Sequence, residues 1–208
     1  MKIINQSHKI ISLPNDVLET IEIVGRTCYK SENKITTNSS SKFTQMLINR
    51  GHHAMIEFGD IIVKFITNRG VTHELVRHRL CSFGQESTRY VNYKKGVEFI
   101  KPVWGNFTDE INTTPQIESP ELEWIHAMES AERHYINLIN KGWRPEQARE
   151  VLPNSLKTEI VVKANIREWR HIFKLRTSKA AHPQIRKLME PLLIKLKQQL
   201  PVVFDDLS

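Results

Sequence analysis

Between Arg77 and Tyr90 the chain reads RHRLCSFGQESTRY: Arg77-His78-Arg79, seven residues, then Ser87, with Arg89 and Tyr90 close behind. Three guanidiniums, an imidazole and a hydroxyl fall within thirteen residues. A guanidinium offers five donors in a fixed fork and keeps its charge at any working pH. Beside a hydroxyl it suits an anion such as a phosphate, which it holds through two parallel hydrogen bonds. A solvated basic loop is the ordinary alternative for such a run. Cations at a helix C-terminus also gain roughly 0.3–1 kcal/mol each from the helix dipole. The dipole could account for one arginine, but not for Arg89 or the polar run Gln85-Glu86-Ser87-Thr88.

These residues need elements to hold them. Upstream, Ile61 to Ile66 is β-rich and mostly apolar, which predicts a strand. Asn68-Arg69-Gly70 then makes a turn, and Thr72 caps a short helix from His73 to Arg79. Ser82, Gly84 and Ser87 argue against its continuation, so the basic triplet falls at a helix C-terminus and leads into a loop. Helices are predicted from Asp16 to Tyr29, from Lys42 to Arg50 with Gly51 closing it, from Glu168 to Thr177 and from Pro183 to Leu200. Thr158 to Ile166 is β-branched and suits either a buried strand or the lead-in to a helix; periodicity does not decide. One composition shift stands out, a loop from Trp104 to Pro120 that carries Gly105, Asn106, Asn112, Thr113, Thr114 and Pro115. It ends at Ser119-Pro120-Glu121, a helix start with serine as cap and proline in the first turn. That helix runs to Lys141 with Gly142 at its end, burying Leu122, Ile125, Met128, Ala131, Tyr135, Leu138 and Ile139 on one face. Strands mixed with interleaved and terminal helices make the fold class α+β.

The motif region resembles the flavin-dependent thymidylate synthases, whose signature is Arg-His-Arg, seven residues, then Ser. The flanks agree: Gly70-Val71-Thr72-His73-Glu74-Leu75-Val76 before it and Ser87-Thr88-Arg89-Tyr90 at its end. Upstream, Gly51-His52-His53 with Glu57 matches as well. Downstream, so do Ala148-Arg149-Glu150-Val151-Leu152-Pro153 and Asn165-Ile166-Arg167-Glu168-Trp169-Arg170-His171, ending at Lys174-Leu175-Arg176. Several motifs in one order over nearly the whole chain weigh far more than one short match.

The resemblance implies an antiparallel sheet with interleaved and C-terminal helices in a single domain over residues 1–208. It also implies an activity: methylation of dUMP to dTMP with methylenetetrahydrofolate as carbon donor and FAD reduced by NADPH. An arginine-rich pocket without a glycine-rich loop is a sensible answer to several anionic ligands. By the resemblance, Arg77, His78 and Arg79 contact FAD, with Arg77 also near the nucleotide. Asn165, Arg167 and His171 are the flavin-side contacts of the downstream motif, and Gln85 counts toward both ligands. Ala54 matches an FAD contact that is often a hydroxyl residue, leaving only its backbone. Glu57 and His52 match positions lining the flavin and folate region. For dUMP it implies Glu74, Arg77, Gln85, Glu86, Ser87, Arg89, Arg149 and Arg176. Ser87 and Arg89 would hold the phosphate, and Arg176 would sit against the uracil and favour loss of its N3 proton. Gly84 and Gln85 depart from the commonest form of the motif. The family is homotetrameric with its active site shared between subunits, so Glu74 and Arg149 come from one chain and Gln85 to Arg89 with Arg176 from its partner.

Bulk properties agree without adding much. A chain of 208 residues can bury a core without metal or disulfides. The net charge of +7 points to an anionic partner, and a small basic RNA-binding protein is the alternative from another class. No RNA-binding motif is present, and the tryptophans form no stacking row, so nucleic acid is not expected as a partner. Two cysteines, Cys28 and Cys81, form no CxxC pair, and reduced thiols in a cytoplasmic protein are the simplest expectation. No stretch approaches the ~20 apolar residues of a membrane span. GxGxxG and GxxxxGK[ST] are absent. His73-Glu74 would need a second histidine at position 77 to form HExxH; Arg77 stands there, and no metal is expected.

Overall fold

The computed structural model describes residues 1–107 and 119–207. Its strands are β1 (Lys2–Ile4), β2 (Ser7–Ser12), β3 (Asp60–Asn68), β4 (Cys81–Gln85), β5 (Glu98–Ile100) and β6 (Lys157–Asn165). Its α-helices are α1 (Val17–Tyr29), α2 (Ser39–Asn49), α3 (Arg69–Leu75), α4 (Pro120–Asn140), α5 (Pro145–Ala148), α6 (Ile166–Arg176), α7 (Pro183–Gln199) and α8 (Pro201–Phe204). An antiparallel sheet of four strands has the order β2-β3-β6-β4. The expected α+β class with an antiparallel sheet is therefore observed. A second, two-stranded sheet was not expected: β1 pairs with β5 in parallel, Lys2 opposite Glu98 and Ile4 opposite Ile100.

The central strands form for the reason strands usually do. Ile61, Val63, Phe65 and Thr67 of β3 are buried at every second position, and so are Thr158, Ile160, Val162 and Ala164 of β6. This settles the ambiguity at Thr158–Ile166 in favour of a strand. The chain clusters into two compact units, each discontinuous in sequence, within what the sequence presents as one domain. One comprises Met1–Ser7, Ile66–Leu75 and Gln85–Ile160; the other comprises His8–Phe65, Val76–Gly84 and Val161–Ser208.

In the first unit, α4 covers the parallel pair. Its residues Met128 and Tyr135 join Val97, Phe99, Ala148 and Leu156 in one buried cluster. Ser119 caps α4 by accepting from the Leu122 N–H, with Pro120 in the first turn. Beyond the Lys141 cap, Gly142 takes a φ of +93°. The expected cap, start and end of this helix are therefore all present. Most of the loop expected before it, residues 108–118, lies outside the described residues.

In the second unit, Trp169 and Phe173 of α6 stack, and Phe173 meets Phe204 edge-on. The buried Trp169 indole donates to the Ile61 carbonyl at 3.0 Å, tying α6 to β3. Helices α1 and α2 pack together, and α7 buries Ile185, Leu188, Met189, Leu192, Leu193 and Leu196. The β6–α6 junction is tight: Asn165 accepts from the Glu168 N–H as N-cap, and the Ile166 N–H donates to the Gly59 carbonyl at 2.8 Å.

One local expectation is corrected. The short helix runs from Arg69 to Leu75, not from His73 to Arg79. Asn68, not Thr72, supplies the starting cap, accepting from the Val71 N–H at 2.8 Å. Thr72 lies inside the helix, where its hydroxyl donates to the Arg69 carbonyl. The basic triplet thus occupies a turn beyond the helix, and the expected loop begins instead with strand β4.

Candidate active site

The turn after α3 and helix α6 bring separated motifs together within the second unit. His78 is buried, and its Nε2 accepts a hydrogen bond from Arg176 Nε at 3.1 Å, across 98 positions of sequence. The His171 ring meets His78 edge-on, centroids 5.9 Å apart. Glu168 Oε1 lies 3.4 Å from His78 Nδ1. Burial, and then the charges of Arg176 and His171, push the His78 imidazole down to about 4, so near pH 7 the ring is neutral. Its contact with Glu168 is therefore that of a neutral ring beside a carboxylate rather than an ion pair. Burial raises the Glu168 carboxyl, an effect that His171 opposes.

The rest of the expected flavin side lies in the same unit. Arg77, Arg79, Arg167 and His171 are exposed, and Arg167 pairs with Glu57 at 2.6 Å. Ala54 is exposed on the 3₁₀ turn His53–Phe58, where its methyl group can donate nothing. His52 accepts from or donates to the Tyr29 hydroxyl through Nδ1 at 2.5 Å. The side-chain oxygen of Asn165 is already engaged as the α6 cap, which leaves the side-chain amide nitrogen as the donor. Burial and the Glu168 charge push the Cys81 thiol up to about 12, away from the thiolate form that a nucleophile needs.

The nucleotide-side residues, apart from Arg77 and Arg176, fall in the first unit. There the hydroxyl oxygen of Ser87 accepts from the Arg89 N–H at 3.3 Å, and the Tyr90 and Val91 N–H groups donate to the Ser87 carbonyl. This folds Ser87-Arg89 into a tight turn. The Arg89 guanidinium lies over the Tyr90 ring, 5.4 Å from its centroid. Arg149 Nη1 donates to the Thr88 hydroxyl at 3.3 Å, joining the Ala148-Arg149 motif to that turn. Gln85 uses its amide to bond Thr72 and Thr158. Glu74 lies half-buried at the end of α3.

Several residues escaped the sequence reading. Both carboxylate oxygens of Glu86 are held inside the unit, by the Tyr93 hydroxyl at 2.7 Å and by Lys157 at 3.2 Å, and its N–H bonds the Glu159 carbonyl. Burial, then the Glu86 bond, push the Tyr93 phenol up. Tyr93 and Lys157 carry no local signal, since their partner is set by tertiary folding. Glu168 could have been found, because three positions separate it from His171 and a helix puts such residues on one face. Glu168, His78 and His171 also bring ligand-type atoms within 4.8 Å of one another, a grouping able to hold a metal ion that the sequence reading did not expect. The Arg176 cation against His78 opposes that use.

Such a layout, an α+β scaffold with guanidiniums and imidazoles and no glycine-rich loop, has the chemistry that suits anionic ligands. The fold is that of a UMP/dUMP methylase from Streptomyces cacaoi, solved with 5-Br dUMP (TM-score 0.81, 21% identity, 99% of this chain and 96% of that one). Residues 9–202 match the family model described as thymidylate synthase complementing protein. The flavin-dependent thymidylate synthase of Corynebacterium efficiens is 35% identical over 89% of this chain and 78% of its own length. That of Mycobacterium tuberculosis is 32% identical over the same shares. The chain belongs to the flavin-dependent thymidylate synthase family.

Proposed function

We propose that this protein converts dUMP to dTMP by reductive methylation, with methylenetetrahydrofolate as carbon donor and NADPH as reductant of FAD. The observation that carries this is the junction of His78 with Arg176 and His171, two distant motifs meeting in one unit. The donor set suits a flavin dinucleotide. Arg77, Arg79 and Arg167 offer exposed guanidinium forks for a pyrophosphate, and His171 and the Asn165 amide offer further polar contacts. Bound there, FAD supplies the redox chemistry.

The chain's own residues would bind, orient and polarise. Ser87 and Arg89 hold the phosphate, the N–H and hydroxyl groups of their turn already facing one another. Arg149 rests on Thr88 of its own chain through Nη1, and from there it is offered to the nucleotide of the neighbouring subunit. Glu86, committed to Tyr93 and Lys157, acts by fixing the turn's entry. Arg176 places a permanent cation beside the uracil, which favours loss of the N3 proton and makes C5 a better nucleophile. His78 holds that cation from behind. Glu74, Gln85 and Arg77 complete the nucleotide side.

We further propose a homotetramer whose sites draw on two subunits. Val76, Leu80, Tyr90, Val151 and Leu175 are exposed apolar side chains within two positions of motif arginines. Apolar surface beside charged ligand contacts is what a subunit interface at an active site provides. An RNA-binding role gains no support from the relatives. No described helix is long and apolar enough to cross a membrane.

The test is Arg176→Ala in the flavin-loaded enzyme. A cation that stabilises a developing uracil anion is worth about 10²–10³ in rate, so kcat should fall by that factor with a smaller change in KM for dUMP. Lysine should rescue poorly, lacking the planar fork. In parallel, changing His78 and Arg79 together to alanine should strip the yellow flavin and leave the fold intact. A normal kcat in the first case, or full flavin occupancy in the second, would refute the corresponding role.

A further inference from the structure

Glu168 is buried one turn into α6 and has no part in the chemistry proposed above. Its position next to His78 gives it one. A neutral imidazole carries a single N–H, and its other nitrogen is an acceptor. Nε2 is the acceptor here, because Arg176 Nε donates to it and a guanidinium has no acceptor to offer in return. The proton must then reside on Nδ1, the nitrogen that faces Glu168 Oε1 at 3.4 Å. With the opposite tautomer, two N–H groups would confront each other at the Arg176 contact, and the guanidinium would have to turn away. The tautomer of a histidine is set by the hydrogen bond its other nitrogen makes.

We propose that Glu168 is a positioning residue for Arg176: by holding His78 as its Nδ1–H tautomer, it keeps Nε2 available to anchor the guanidinium plane. The chain of contact runs carboxylate, imidazole, guanidinium, and all three members lie within the second unit. Two features of the surroundings fit. The Asn165 cap on the Glu168 N–H fixes the first turn of α6, and so fixes where the carboxylate starts from. The His171 ring closes against His78 edge-on, which restricts the imidazole's rotation. The inference rests on the role given to Arg176 above.

The experiment is a double-mutant cycle in the full-length, flavin-loaded enzyme: Glu168→Ala, Arg176→Ala and the pair, with kcat and KM for dUMP and the bound flavin measured for each. Glu168→Ala should lower kcat by roughly 10–100-fold, the usual effect of removing an orienting partner, with flavin content kept and KM little changed. In the Arg176→Ala background the same change should cost almost nothing further, because residues that act through one another are not additive. Glu168→Gln keeps the volume and an acceptor oxygen and should recover most of the rate. If the alanine variant does not fold, Glu168→Leu, which fills the site but offers no acceptor, carries the same cycle and should show the same coupling. Losses that multiply in the double variant, or an unchanged kcat in Glu168→Ala, would overturn the proposal while leaving Arg176's role intact. A normal kcat in Arg176→Ala alone would overturn both.

Discussion

Ser87 could be read as a nucleophile or as a phosphate ligand, and its contacts favour the second. A nucleophilic serine needs a base within hydrogen-bond reach. The bonds at Ser87 run to the N–H groups of Arg89, Tyr90 and Val91, which accept no proton. Ser87→Ala should therefore weaken dUMP binding and leave measurable turnover at saturating dUMP; total loss of turnover with unchanged binding would restore the nucleophile. His78 gives a second prediction at this scale. Its folded value, about 4, lies below the unfolded 6.5, so between those pH values the unfolded chain binds the extra proton. Stability must fall as pH drops through that window and level off below it. A tenfold difference in proton affinity between the folded and unfolded chain is worth about 1.4 kcal/mol. Urea unfolding at pH 7 and pH 5 should therefore show the wild type losing about 1–2 kcal/mol more than His78→Gln. Equal losses in the two proteins would mean that the ring is not held neutral.

At the scale of elements, the site depends on where β6 hands over to α6. Gly59 lies beneath that junction and receives the Ile166 N–H on its carbonyl. A Cβ at Gly59 would come within 2.5 Å of Val17 Cγ2 and 2.7 Å of Ile166 Cδ1. Its φ is −102°, so the requirement is space rather than backbone freedom. Overpacking of this kind typically costs about 1–3 kcal/mol, and Gly59→Ala should shift the denaturation midpoint by a corresponding amount. Since α6 carries Arg167, His171 and Arg176, flavin occupancy should drop as well. A variant with wild-type stability would show that Val17 and Ile166 can give way.

At the scale of the whole molecule, sharing of the site between subunits can be tested by mixing. An Arg149→Ala chain and an Arg176→Ala chain should each be inactive alone. Unfolded and refolded together, random pairing in a symmetric assembly gives some sites that carry both changes and others that carry neither. Activity should return to roughly a quarter of wild type, because half of the pairs are mixed and half of their sites are intact. Mixed oligomers with no recovered activity would mean that each site is built within one chain.

The motif residues, the long helices and the strand at β3 were legible in the sequence because each rests on local chemistry or on a period within one element. The Ser119-Pro120 start and the Gly142 end of α4 depend only on neighbouring backbone groups, and they stand as read. The start of α3 misled for a similar reason, since Asn68 and Thr72 are both competent caps and only the geometry after β3 selects Asn68. Strands β1 and β5 were invisible, being three residues each and paired across almost a hundred positions. Family membership could be read because several motifs, from Gly51-His52-His53 to Lys174-Leu175-Arg176, resemble those of a known family in residue type and order. Which side chains meet was a different matter. The Glu86 partnership with Tyr93 and Lys157, and the line from Glu168 through His78 to Arg176, exist only once distant segments pack. A buried carboxylate takes its partner from the tertiary fold, since the environment that makes the pairing necessary is itself a product of folding.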